Sequence, residues 1–202
     1  MPPKVKVTRE EIIAAALELL RQKGMEAVNA RAVASVLGCS TQPIFSNYSS
    51  MAALQQETRD AAAAEYSRWI EQHMKEGKYP PYKASGMAYI SFARTRPQLF
   101  KELFMRDRTG EPPAGDDPLT RSIVALIVKN TGLSEQAARQ LHIELWIFIH
   151  GIAAMLVTGY LDLEEPVISS MFTDVYLGLL NRSKENTPCM KPDYRWRGFA
   201  SS

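Results

Sequence analysis

The chain has 202 residues, 46% apolar and 23% charged, with 11 glycines and 12 prolines. That length supports a sizeable core, and the composition excludes collagen-like and low-complexity classes. Its 24 basic and 22 acidic side chains leave a net charge of +2, which excludes a polycation that coats nucleic acid or anionic membrane.

The leader carries Lys4, Lys6 and Arg9 and no apolar run, so it does not read as a secretory signal. Thr8 and Glu11 then form a capping-box pattern. Ile12, Ile13, Ala16, Leu17 and Leu20 make the apolar stripe of a first helix, which Gly24 stops. Asn29 is the N-cap of a short second helix, Ala30 to Leu37, with Val28 and Val33 as its hydrophobic staple. Gly38 closes it. A third helix is expected after Ser40, with Ser40 as its cap and Pro43 in the first turn, where no helical amide bond is lost.

A long fourth helix is predicted from near Ser50 to about Glu76. Further helices are predicted near 82–95, 98–106, 117–131, 135–158 and 166–182. From Ser183 onward the chain is polar, with Pro188 and Pro192, and reads as a flexible tail. Strict alternation is rare and no strand or repeat is evident. The fold class is therefore all-α: a three-helix head at 1–50, a helical body at 51–182 entered by the long helix, and a tail at 183–202.

Leu145 to Leu161 is free of charge but holds His150, Thr158 and two glycines. A bilayer span needs about 20 mostly apolar residues. A helix buried on most of its surface is expected there, not a membrane span. Two cysteines, Cys39 and Cys189, are too few for a disulfide framework and fit a reducing, cytoplasmic setting.

Two short helices joined by Gly38, Cys39 and Ser40 match a helix-turn-helix. Its second helix offers Ser40, Thr41, Gln42, Ser46 and Asn47 as uncharged hydrogen-bonding groups. Gln42 can pair with adenine N6 and N7, and the Thr41 methyl can touch thymine. Pro43 acts by shape or apolar contact. Arg31, near the start of the preceding helix, is expected to clamp a phosphate.

These residues resemble the DNA-binding domain of TetR-type transcriptional regulators over 8–54. The resemblance rests on Ile12, Ala16, Leu20 and Gly24, on Asn29, Arg31, Val33 and Ala34, and on Gly38, Ser40, Ile44, Phe45, Tyr48, Ser50 and Leu54. Tyr89 to Arg108, with Trp146, His150 and Gly151, is similar to one C-terminal subgroup of that family. The resemblance implies a homodimeric repressor that leaves a palindromic operator when a small molecule binds the body. Lys6, Asn29, Phe45 and Tyr48 join the DNA-contact set with the groups above. Two positions depart from the family pattern: Phe45 stands where tyrosine is usual, and Met51 where lysine is usual. Both remove phosphate contacts, for which Lys4, Lys6 and Arg9 are expected to compensate as a basic arm.

In the body, Phe92, Phe100, Phe104, Met105, Trp146 and His150 fit a cavity for a small apolar or aromatic effector. Leu145, Ile149, Ile152 and Leu156, then Ile168, Phe172, Val175 and Leu179, suggest a four-helix dimer interface. No metal or cofactor site is expected: His142 and His150 lie about 12 Å apart along one helix. An all-α enzyme would need converging titratable groups, and His142, His150, Glu144, Asp162 and Glu102 show no such spacing. The other alternative is an all-α interaction or small-molecule-binding module with weakened DNA binding, favoured by Phe45 and Met51.

The net charge divides unevenly. The head carries +2, the body −2 and the tail +2. That polarity suits DNA at one end, read by groove contacts more than by bulk charge.

Overall fold

The computed structural model describes residues 7–109 and 118–185. Lys4, Lys6, Cys189, most of the loop after Asp107 and the tail from 186 lie outside the described residues. Nine α-helices and no strand occur among the described residues. In chain order they are α1 Arg9–Lys23, α2 Ala30–Val36, α3 Gln42–Asn47, α4 Met51–Lys75 and α5 Pro81–Thr95. Then follow α6 Pro97–Phe104, α7 Pro118–Thr131, α8 Glu135–Val157 and α9 Glu165–Lys184. The last helix runs two residues past the expected start of the tail.

The described residues form two compact units. One holds the residues up to Tyr66 together with Arg96–Arg106, and the other holds Ser67–Thr95 and the residues from Asp107 onward. The head unit thus extends beyond residue 50, taking in more than half of α4 and all of α6.

In the head, α1 begins with the full capping box. The Thr8 hydroxyl accepts from the Glu11 amide at 3.2 Å, and the Thr8 amide donates to the Glu11 carboxylate at 2.8 Å. The helix ends at Gly24, whose φ of +84° favours glycine. Asn29 caps α2 through its Oδ1, 3.0 Å from the Ala32 amide, and both staple valines are buried. The head core is Ile12, Leu20, Val28, Val33, Ile44, Tyr48 and Leu54. Helix α6 packs on α1. Ion pairs tie both to α4: Arg21 with Glu65 at 2.6 Å, and Arg59 with Glu102 at 2.7 Å.

The start of α3 differs from expectation. The cap position falls to Thr41, not Ser40, and no side chain caps the helix. Pro43 is the second helical residue and has no amide to offer. The next two amides, of Ile44 and Phe45, both donate to the Thr41 carbonyl, at 3.1 and 3.3 Å. The backbone satisfies that end itself, so the Ser40 hydroxyl is left exposed.

In the body unit, α5 packs mainly on α8, and α8 also packs on α7 and α9. Ile123, Val124, Ile127, Ala138 and Leu141 form one core cluster, flanked by Tyr82, Tyr176 and Leu179. Helix α5 approaches α9 at Gly86, where a Cβ would stand 2.3 Å from Cε2 of Phe172.

The stripe expected to pair two copies is largely internal. Leu145, Ile149, Ile152, Ile168 and Phe172 are all at most 5% exposed in the single chain. They are packed core and cannot also face a partner. Leu156, Val175 and Leu179 are half-buried. Helix α8 has the length and composition of a membrane span. From Leu145 to its end at Val157, only Ile147 and Met155 are exposed, and the other residues are buried or half-buried. Ile147 (60% exposed) and Met155 on α8, Val167 and Leu177 (48%) on α9, and Tyr160 between them face outward.

Candidate nucleic-acid interface and effector contacts

Helix α3 is held by one fully buried side chain, Ile44, which frees the rest of its surface. Gln42, Phe45 and Ser46 are exposed, as are Ser40 in the turn and Arg31 on α2. Thr41, Pro43 and Asn47 are half-buried. Phe45, at 55% exposed, and Val36 beside the turn, at 53%, give this polar face an apolar component. Ser46 donates to the Gln42 carbonyl at 2.9 Å, and Asn47 donates to the Pro43 carbonyl at 2.8 Å. Their remaining capacity is therefore mainly to accept. Gln42 keeps its whole amide for a base edge. Arg31 pairs with no acidic side chain among the described residues, as a phosphate clamp requires.

Three expected DNA contacts are placed otherwise. Tyr48 is 3% exposed, with its ring beneath the Arg9 guanidinium, 4.7 Å away. It is a core residue, and burial pushes its phenol up to about 12. Asn29 is solvent-facing, but Oδ1 caps α2 and Nδ2 donates to the Ala27 carbonyl at 3.3 Å, so both ends are used internally. Arg9 is the first residue of α1 and not part of a free arm. It forms a two-pronged ion pair with Glu57 of α4, whose carboxylate it holds below the usual range. The cation–ring contact and this ion pair clamp α1 to the end of α3 and the start of α4. Sequence spacing carries no signal for a pair 48 residues apart. Lys6 lies outside the described residues.

The six residues assigned to an effector divide between the two units, with Phe92, Trp146 and His150 in the body unit and Phe100, Phe104 and Met105 in the head unit. Phe92 and Phe100 are fully buried, so they are core. Phe100, Phe104 and Met105 belong to the head unit, where Phe104 packs edge-on against Tyr66 at 5.1 Å. Trp146 and His150 are half-buried in the body and stack at 5.0 Å and 17°. His150 Nδ1 lies 2.8 Å from the Tyr89 hydroxyl, and burial lowers its pKa. A cavity of about 270 Å³ lies elsewhere in the body unit, against α5, the end of α4 and the start of α9. No motif or spacing pointed to it.

Comparison with known proteins agrees with this architecture. Residues 12–58 match the model of the bacterial regulatory proteins of the TetR family, and residues 82–175 match a tetracyclin repressor-like C-terminal domain. The uncharacterized HTH-type transcriptional regulator Rv0681 of Mycobacterium tuberculosis is 24% identical, over 86% of this chain and 80% of its own. The uncharacterized HTH-type transcriptional regulator YobS of Bacillus subtilis is 19% identical, over 85% and 90%. Among solved structures, a single-substitution variant of TetR from Acinetobacter baumannii, in complex with minocycline, superposes with a TM-score of 0.56. It is 16% identical and covers 91% of this chain and 100% of its own. Both domain matches, the relatives and the shared fold converge: the chain belongs to the TetR family of transcriptional regulators.

Proposed function

We propose that this protein is a ligand-responsive repressor that binds a palindromic operator as a homodimer. The observation that carries the reading is the free face of α3. Gln42, Phe45 and Ser46 are exposed on a short helix anchored by Ile44, with unpaired Arg31 beside it. In the major groove Gln42 reads adenine, and Phe45 with the Thr41 methyl contacts thymine methyl groups. Arg31 neutralises a phosphate.

Two copies would place two such helices in successive major grooves, about 34 Å apart. The outward apolar face of α8 and α9 is the surface proposed to join them. The body is proposed to take a small apolar or aromatic effector against the stacked Trp146 and His150. The minocycline complex of the Acinetobacter protein supports a small-molecule role for such a body. An effector releases DNA only through its differential affinity for the DNA-bound and free states.

Binding-site selection from random duplexes with the full chain tests the reading. The expected product is a two-fold symmetric site whose affinity falls steeply with salt. Selection of no symmetric sequence would reject it and favour an interaction module.

A further inference from the structure

The cavity of about 270 Å³ against α5 has the chemistry of a ligand site. Its size falls just below the range typical of drug-sized ligands, so its occupant is small. The floor is apolar: Met87, Ala88 and Ile90 of α5 and Ile168 of α9 line it, and all are buried. At the α5 C-terminal end stand Ser91 and Arg94, one helical turn apart.

Arg94 spends one guanidinium nitrogen on the Leu163 carbonyl, which fixes the side chain across the cavity rim. Its other donors take no acceptor among the described residues. The Ser91 hydroxyl is likewise uncommitted. Thr95 is not available in the same way, because its hydroxyl donates to the Ser91 carbonyl at 2.8 Å.

Two carboxylates also line the cavity. Glu165 is answered within the protein: Lys78 Nζ lies at 2.5 Å and the Tyr79 hydroxyl at 2.8 Å, and together they hold its carboxyl below the usual range. Glu76 is exposed just past the end of α4. Arg94 also acts electrostatically on Glu165, but more weakly than Lys78, and it makes no ion pair among the described residues; it is thus the cavity's cation left to meet a ligand, one helical turn from the Ser91 donor. On the other side, His73 Nδ1 faces the Trp69 carbonyl at 2.8 Å. A carbonyl only accepts, so the proton sits on Nδ1 and Nε2 is left as an acceptor in the neutral ring.

We propose that this cavity binds a small carboxylic acid with an aromatic or short aliphatic body. The apolar part lies on Met87, Ile90 and Ile168, and the carboxylate is held by Arg94 and Ser91. The site is separate from Trp146 and His150 and does not depend on the operator-binding reading. A forked guanidinium suits a carboxylate, and a charge-assisted bond in a half-enclosed site is worth more than a neutral one.

Calorimetric titration of the full chain, without DNA, tests this. The probes are benzoate and octanoate, with benzamide as the neutral comparison. Both carboxylates are expected to bind, and benzamide at least about tenfold more weakly. Arg94→Gln should remove that preference and Arg94→Lys should restore part of it. Ser91→Phe, which fills the cavity from a half-buried position, should abolish binding of all three probes. Thermal melts of each variant separate loss of the site from loss of the fold. No heat with either carboxylate, equal binding of benzamide, or unchanged affinity in a folded Arg94→Gln or Ser91→Phe variant overturns the proposal. Because the assay contains no DNA, failure to find an operator leaves this result untouched.

Discussion

Arg31 and Asn29 stand two residues apart at the same helix start, and the structure gives them different work. Arg31 is exposed and unpaired among the described residues, whereas both polar ends of Asn29 are bound internally. Arg31→Ala is therefore expected to weaken binding to every sequence and to lower the salt slope by about one, with little change in melting. Asn29→Ala is expected to cost about 1 kcal/mol of stability, seen in denaturant unfolding, while sequence preference stays as it was. A swap of the two outcomes would reverse the assignment. His150 carries a pH prediction of its own. Burial lowers its pKa from the ordinary 6.5. The unfolded chain then binds a proton near 6.5 that the folded chain resists. Stability should fall as pH drops through about 6.5 and level off below the lowered folded value. His150→Gln should flatten the melting temperature in that window. Loss of carboxylate pairs such as Arg9 with Glu57 belongs to a lower range, since Glu57 is held below 4.5.

Helix α5 has to pass α9 closely, and Gly86 is where it does so. A methyl group there would meet the Phe172 ring at 2.3 Å, far inside contact distance, and Phe172 is buried with little room to turn. Gly86→Ala is expected to destabilise by about 1–3 kcal/mol, and Phe172→Leu in the same chain should recover part of it. Additive losses in the double variant would show that the two do not press on each other. The same helices show what local pattern can and cannot reveal. Helix positions were legible, because caps such as Thr8 and Asn29 and stops such as Gly24 act within one turn of the chain. The exposed, mostly polar face of α3 was legible for the same reason: Ile44 is the single buried apolar residue within the helix. Failures came wherever a role depends on distant chain. The apolar stripe of α8 was visible, but local pattern could not say that packing within the body already buries Leu145 and Ile149. Tyr48 looked like a surface group until Arg9 and Glu57 closed over it. The Ser40 cap failed on a local competition, in which the Thr41 carbonyl took both amides that Pro43 left to serve.

At the level of the whole molecule, the outward apolar residues of α8 and α9 require a physical account. Ile147, Met155, Tyr160, Val167 and Leu177 are all exposed in one chain, and large outward apolar residues grouped on adjoining helices mark an interaction surface. Under the proposed function, a second copy is the occupant that also satisfies a two-fold operator. Ile147→Glu puts a charge at the most exposed large apolar residue of α8. It is expected to yield a folded monomer by sedimentation, with a helical signal like the parent's, because Ile147 contributes little to the core. Leu145→Glu, only two residues away but 1% exposed, is expected to unfold the body. Monomerisation must also reach DNA. Two linked half-site contacts bind more tightly than one by about 10²–10⁴-fold, so Ile147→Glu should lose operator affinity on that scale while a single half-site binds as before. A folded Ile147→Glu dimer would move the interface elsewhere, and a monomer with full operator affinity would remove the need for one.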